Sequence, residues 1–370
     1  MNDVFSLSDE LGPLKVIHVH EPGIGLKGVL VVDNVARGPS IGGVRMATDV
    51  TTEECARLAR AMTFKNAAAG LPHGGGKAVL VGNPKMPKSQ KEVLIRGFAC
   101  ALQEVEQYIF APDMGTDEEC MTWVKDEIDR VVGLPRGLGG IPLDEIGATG
   151  WGLSHAVDVA REYCQLEPEG ASFVVQGFGA VGKHVAKFLS RKGDIAVAVS
   201  DSTGTIYNPG GLDVDKLVAL KSEGKSVTEY ADGEKLDGDA IIDIECDIWI
   251  PAARPDVIHE DNVHRLKTRM VAEGANIAVT YGAGKVLHEK GVVCIPDFIA
   301  NAGGVICAAM EYQNASEAAA FTAIEEKLRA NTREVLETAK RDQILPRDAA
   351  LAMARKRVEK AMSFRRWNIF

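Results

Sequence analysis

VVQGFGAVGKHVAKFL, residues 174–189, places Gly177, Gly179 and Gly182 at G-x-G-x-x-G spacing between a β-branched run and an amphipathic helix. Glycines so spaced permit a tight turn and a close approach of backbone to a pyrophosphate, and the following helix offers free N–H groups and a partial positive charge. Asp201 lies nineteen positions beyond Gly182 at the end of the next strand-like run, where a carboxylate meets a ribose 2′-hydroxyl. The context predicts a dinucleotide site. Asp201 favours NAD because a carboxylate repels a 2′-phosphate, while Ser202 and Thr203 beside it leave NADP open.

Outward from this run, the pattern alternates. Helix 148–163, strand 172–176, helix 181–191 and strand 195–200 follow one another as βαβ units do, and strand-like runs at 241–244, 247–250, 270–272 and 292–295 extend a parallel sheet. The first third reads differently, with strands at 15–20, 28–32 and 108–111. Capping boxes at Thr51/Glu54 and Ser89/Glu92 open two helices there. A glycine- and proline-rich passage, GLPRGLGGIPLDEIG at 133–147, marks the boundary, and the last seventy residues read as helices. The expectation is a two-domain α/β protein: residues 1–140 form a first domain, which helices 335–370 could complete by packing back onto it, and 141–334 form a Rossmann-type dinucleotide domain.

Composition agrees with such a protein. The 370 residues are 46% hydrophobic and 25% charged, enough for large cores, and the net charge of −10 is the wrong sign for a protein that mainly neutralises nucleic-acid phosphates. No run approaches the ~18 uncharged apolar residues of a membrane helix, and the amino terminus lacks a secretory pattern. Cysteines at 55, 100, 120, 164, 246, 294 and 307 are scattered without metal-ligand spacing. They read as reduced thiols in the cytoplasm, and no metal is expected.

In GLPHGGGKAVLVGNP, residues 70–84, Lys77 follows three glycines and precedes a strand-like run. No helix follows and no Ser or Thr adjoins it, so this is not a nucleotide P-loop. A lysine in a close, apolar setting can act on a bound water or carbonyl. His73 beside the glycines reads as a polar turn residue, with a ligand-facing group as the alternative.

These residues belong to a larger resemblance. GPSIGGVRM (38–46), MTFKNAAAGLPHGGGKAVLVGNP (62–84), APDMGT (111–116), ATGWG (148–152), GFGAVG (177–182), AEGAN (272–276) and PDFIANAGGVI (296–306) resemble, in order, segments of the glutamate/leucine/phenylalanine/valine dehydrogenases. The resemblance implies that Lys77 activates the water attacking the iminium carbon and that Asp113 moves protons to and from the amino group. It implies that Lys65 pairs with the substrate α-carboxylate and that Gly42, Gly43 and Asn301 close around the substrate. It implies that Thr149, Asn276 and Asn301 contact the nicotinamide end, with further cofactor contacts at Ala180, Val181, Ala252 and Ala253.

Glutamate enzymes of this family carry a lysine before GG-x-R and a serine seven residues after the NAGG asparagine. Here Ile41 and Ala308 stand at those positions, and with Ala111 and Val305 they suit a neutral side chain. A second carboxylate left unpaired in such a pocket costs on the order of several kcal/mol. The expected activity is NAD-dependent oxidative deamination of a neutral, branched-chain or other apolar L-amino acid to its 2-oxo acid and ammonium, and the reverse amination. Ala308 also leaves room for an aromatic ring, and the strings SDSTGTIYNPGGLD and AEGAN look closer to glutamate enzymes. A catalytically idle dinucleotide-binding regulatory subunit is the alternative of another class. The resemblance further implies that residues 1–140 are a substrate and assembly domain facing the dinucleotide domain across a cleft, and that the protein is a homo-oligomer, hexamer or octamer, with small-molecule partners; the net charge and the lack of an apolar span argue against nucleic acid and membrane.

Overall fold

The computed structural model describes residues 5–364. They divide into two compact units, one of residues 5–142, 305–320 and 351–364, the other of 143–304 and 321–350. The chain passes from the first to the second inside the glycine- and proline-rich passage. The expected assignment of the carboxyl-terminal helices differs from this division: residues 305–320 count with the first unit and 321–350 with the second.

The first unit contains β1 (Lys15–Glu21), β2 (Leu26–Asn34), β3 (Ser40–Ala47), α1 (Thr52–Ala68), β4 (Gly74–Val81), α2 (Lys88–Ala101), β5 (Tyr108–Pro112) and α3 (Glu118–Ile128). The strands form one sheet in the order β1-β2-β4-β3-β5, antiparallel from β1 to β4 and parallel from β4 to β5. Alternation assigns its two faces. Leu30, Val32, Val44, Met46, Ala78, Leu80 and Phe110 point into a core with Leu94, Phe98 and Met121 of α2 and α3. Val31 and Val79 point the other way, onto Cys55 and Ala59 of α1. Gly75 permits the close approach of α1, because a Cβ there would stand 2.0 Å from the Thr63 nitrogen.

Helix starts differ from the sequence reading in detail. Thr51 caps α1 by accepting the Glu54 N–H, but the Glu54 carboxylate goes to Arg45 instead of returning to the cap. Helix α2 begins behind Pro87 with no side-chain cap, and Glu92 pairs with Arg96 one turn on.

The second unit runs α4 (Leu143–Ile146), α5 (Ala148–Cys164), β6 (Ser172–Gln176), α6 (Ala180–Arg191), β7 (Ile195–Ser200), β8 (Thr205–Tyr207), α7 (Val214–Ser222), β9 (Glu234–Leu236), β10 (Ile248–Pro251), β11 (Met270–Ala272), α8 (Tyr281–Glu289), β12 (Val293–Ile295) and α9 (Asp297–Ala300). Its sheet has the order β12-β11-β10-β6-β7-β8-β9, parallel from β12 to β7. The antiparallel strands β8 and β9, three residues each with β9 at the edge, are too short to show a period in sequence. Residues 241–244, expected as a strand, instead lie in and just after a 3₁₀ turn, Gly238–Asp243. A strand would send adjacent Ile241 and Ile242 to opposite faces, whereas both are buried in one core with Trp249 and Val271.

Three helices follow: α10 (Gly303–Tyr312), α11 (Glu317–Asp342) and α12 (Pro346–Phe364). Among the described residues no helix is long and apolar enough to cross a membrane. The seven cysteines are unpaired.

Candidate active site

Strand register gathers the expected substrate residues of the first unit. Ile41 of β3 is opposite Gly75 of β4 and Ile109 of β5, and Gly43 is opposite Ala111. Lys77 lies two residues beyond Gly75, so Ile41, Gly43, Lys77 and Ala111 share the sheet face that α1 covers. Lys77 is 6% exposed, and its Nζ stands 2.5 Å from Oδ2 of Asp113, just past β5. Gly43 makes room for that carboxylate, since a Cβ there would stand 2.7 Å from the Asp113 Cβ. Gly42 lies against Gly76, whose carbonyl oxygen a Cβ would meet at 1.9 Å.

Arg45, on the same face, was not among the expected site residues. Its Nε donates to the same Asp113 oxygen at 3.2 Å, and its Nη1 pairs with Glu54 at 2.7 Å. Its place in GG-x-R was the available signal. Burial pushes the Asp113 carboxyl up, but Lys77 and then Arg45 outweigh burial and hold it below the ordinary carboxylate range. Thr116 fixes the turn, its Oγ1 accepting the Asp113 N–H and donating to the Val44 carbonyl. Lys65 is half-buried in the last turn of α1.

Val305 and Ala308 are half-buried on α10, one helical turn apart. That helix is tied down by Glu311, whose carboxylate accepts N–H groups from Gly133, Leu134 and Ile141 at 2.7–3.0 Å. His73 is 3% exposed rather than a surface turn residue: its Nδ1 lies 3.1 Å from the Pro39 carbonyl, and its ring meets Tyr312 of α10 edge-on at 5.9 Å. Burial pushes its pKa down.

In the second unit the expected cofactor residues gather at the carboxyl edge of the parallel strands, where the order reverses between β6 and β10. Gly177 turns out of β6 at φ +94°, and a Cβ on Gly182 would stand 1.9 Å from the Gly177 carbonyl oxygen. Gly179 caps α6 with no side-chain bond, so the first N–H groups of the helix, at Ala180, Val181 and Gly182, have no capping side chain. A Cβ on Gly179 would meet nothing within 4 Å, which leaves the cradle open. Ala252 donates its N–H to the Gln176 carbonyl, and Ala253 lies against Gly177. Thr149 is in the first turn of α5, with its Oγ1 close to Gly304. Asn301 donates from Nδ2 to Oδ1 of Asn276 at 2.9 Å and leaves its own buried Oδ1 without a partner. An open helix terminus, a glycine cradle and an orphaned amide oxygen fit a dinucleotide.

Asp201 stands at the end of β7, as the spacing requires, but its carboxylate is occupied. It accepts from the Thr203 N–H, Ser226 Oγ, Lys221 Nζ and the Val227 N–H, all at 2.9–3.0 Å. Burial raises its pKa, and the four donors, Lys221 foremost, bring it to about 2. Ser202 beside it is exposed.

A Rossmann-type unit and a second α/β unit carrying a buried lysine paired with a half-buried aspartate place this chain among the two-domain α/β dehydrogenases. More narrowly, it belongs to the glutamate/leucine/phenylalanine/valine dehydrogenase family: residues 139–366 match the family's dehydrogenase model and residues 13–130 its dimerisation-domain model. It is therefore of an amino acid dehydrogenase family whose members use NAD or NADP. The glutamate dehydrogenase of Aeropyrum pernix is 38% identical over 357 residues, covering 90% of this chain and 85% of that relative. The crystal structure of Peptoniphilus asaccharolyticus glutamate dehydrogenase is similar with a TM-score of 0.84 at 28% identity, covering 96% of this chain and 93% of the other. That of the hetero-hexameric glutamate dehydrogenase of Thermus thermophilus, in its leucine-bound form, has a TM-score of 0.82 at 29% identity, covering 96% and 91%.

Proposed function

We propose that this protein oxidatively deaminates a neutral L-amino acid, with NAD as the first cofactor: amino acid, NAD⁺ and water give 2-oxo acid, ammonium, NADH and a proton. When bound, the dinucleotide supplies the acceptor for the hydride leaving the amino acid Cα. The chain's own residues do the rest. Lys65 pairs with the α-carboxylate and so orients the amino acid. Asp113, kept ionised by Lys77 and Arg45, takes a proton from the substrate ammonium so that a lone pair can form the C=N bond. Lys77 then directs water onto the imine carbon; Asp113 returns the proton it took to the amine nitrogen, ammonia leaves as the C=O forms, and the two protons of the added water pass by way of Lys77 and Asp113, 2.5 Å apart, one to ammonia to give ammonium and one to solvent. The amide pair Asn276–Asn301, the α6 terminus and the Thr149 hydroxyl serve the dinucleotide.

The neutral-substrate reading rests on Ile41. It is 4% exposed on the same sheet face as Lys77 and Ala111, with Ala308 in place of a hydroxyl on α10, so neither position offers a second carboxylate a partner. A glutamate-type reading has its own support, because the Aeropyrum relative, 38% identical, is named a glutamate dehydrogenase. NADH absorbance at alkaline pH with L-leucine, L-valine, L-phenylalanine and L-glutamate separates the two. The neutral reading expects kcat/KM for at least one apolar substrate to exceed that for glutamate by about tenfold or more; glutamate as the best substrate would overturn it. Running the panel with NADP tests the cofactor, since Lys221 balances the charge of Asp201.

We also assign a homo-oligomer, supported by the dimerisation-domain match over residues 13–130; the hetero-hexameric Thermus relative supports assembly from several chains, though not from identical ones. Light scattering at the mass of a single chain would overturn it.

A further inference from the structure

The loop between β11 and α8 contains a β-branched residue in a conformation that such residues rarely adopt. Ile277 has φ +51° and is 55% exposed, so no core packing accounts for its backbone. Two hydrogen bonds hold it: its N–H donates to Oδ2 of Asp297 at 2.8 Å, and its carbonyl accepts the Asp256 N–H at 2.8 Å. Asp297 is 6% exposed, and its other carboxylate oxygen accepts from Arg347 Nη2 at 2.7 Å. The Arg347 guanidinium lies over the Phe298 ring and reaches toward buried Glu273, which accepts the Val279 N–H farther along the loop.

Asp297 bonds Asn301 itself and the residue next to Asn276. Its side chain binds the N–H of Ile277, the residue after Asn276, and its carbonyl accepts the Asn301 N–H at 2.7 Å. Asn276 and Asn301 are joined to each other, and the unpartnered Oδ1 of Asn301 is the atom left to meet a ligand donor. Strain sustained by a buried, ion-paired carboxylate beside an orphaned polar atom marks a place where geometry is maintained for binding.

We propose that Asp297, held by Arg347, is a positioning residue for the nicotinamide end of the dinucleotide, locking the left-handed turn at Ile277 and so fixing Asn276 and Asn301 as one amide pair. The inference rests on the assignment of that pair to the dinucleotide.

The test uses the full chain and two ligands, NADH and ADP-ribose, the second of which lacks the nicotinamide; calorimetry measures both affinities without turnover. The cost of an unsupported left-handed isoleucine sets the expected scale: Asp297→Ala weakens NADH about tenfold and leaves ADP-ribose within about twofold. Adding Ile277→Gly restores most of the NADH affinity, because glycine adopts the turn without the carboxylate. A carboxylate that merely supported the fold would weaken both ligands together and would not be rescued. Arg347→Met leaves Asp297 in place and produces the same split to a smaller degree, which keeps the proposal testable if Asp297→Ala does not fold. Parallel loss of both ligands, unchanged NADH affinity, or no recovery with Ile277→Gly overturns the proposal. Failure of the wild-type chain to bind NADH overturns the dinucleotide assignment itself, while NADH binding without turnover leaves this test intact and counts only against the proposed reaction.

Discussion

Lys77 Nζ and Asp113 Oδ2 stand 2.5 Å apart, although one side chain comes from the middle of β4 and the other from the turn after β5. Two strand registers bring them together, β4 on β3 and β3 on β5, so the pair depends on the sheet and not on a flexible loop. Proton transfer between positioned groups of this kind contributes roughly 10²–10⁴-fold to a rate. Lys77→Ala and Asp113→Asn are each expected to lower kcat by at least about 10²-fold with NADH affinity unchanged. Stopped-flow kinetics and calorimetry check this, and unchanged turnover in Lys77→Ala would refute the mechanism.

Arg45 acts on the same oxygen of Asp113 and is itself anchored by Glu54. The carboxyl is held low by Lys77 and Arg45 against burial, so removing one cation raises its pKa and more acid is retained at a given pH. In Arg45→Met the acid limb of the kcat/KM profile is therefore expected to move to higher pH, with the alkaline limb less affected. An acid limb that stays in place would show that Asp113 does not set it.

Much of the second unit was legible because G-x-G-x-x-G specifies a turn as well as a ligand: β6, α6 and β7 follow the sequence reading to within a residue. Less legible was β3, whose interior pair Gly42–Gly43 interrupts the β-branched pattern by which strands are recognised. Asp201 was placed correctly at the end of a strand, yet its four donors come from residues 203 to 227, which only the fold brings to it. Arg45 and Asp113 are likewise 68 residues apart, and no local pattern couples them. Ile277 was invisible for the opposite reason: glycine is the sequence signal for a left-handed turn, and here the turn is held by a distant carboxylate instead.

Glu311 holds three backbone N–H groups of the glycine- and proline-rich passage against α10, the helix carrying Val305 and Ala308. Each buried donor left without an acceptor costs about 1–3 kcal/mol, and the three are coupled, so the penalties do not add. Glu311→Ala is expected to destabilise the protein by about 3 kcal/mol in denaturant titration, with Glu311→Gln in between because its amide keeps one acceptor oxygen. A loss under about 0.5 kcal/mol in the alanine variant would mean that water replaces the carboxylate.

Glu273 imposes a pH dependence of unusual sign. Burial raises its pKa from 4.5 to about 8, against the attraction of Arg347 and with the repulsion of Asp297 adding to the rise. Between those two values the folded chain keeps a proton that the unfolded chain has released, so stability falls as pH rises, by up to about 1.4 kcal/mol per pH unit, and levels off above the folded value. Carboxylates such as Asp201, held at about 2, act in the opposite direction only at acid pH, where their protonation removes stability. Glu273→Gln preserves an acceptor for the Val279 N–H and removes the titration. Denaturation midpoints measured from pH 5 to pH 9 are expected to fall in the wild type and to flatten in the variant, leaving the variant the more stable above pH 8. Equal slopes in the two proteins would show that Glu273 is ionised in the folded state.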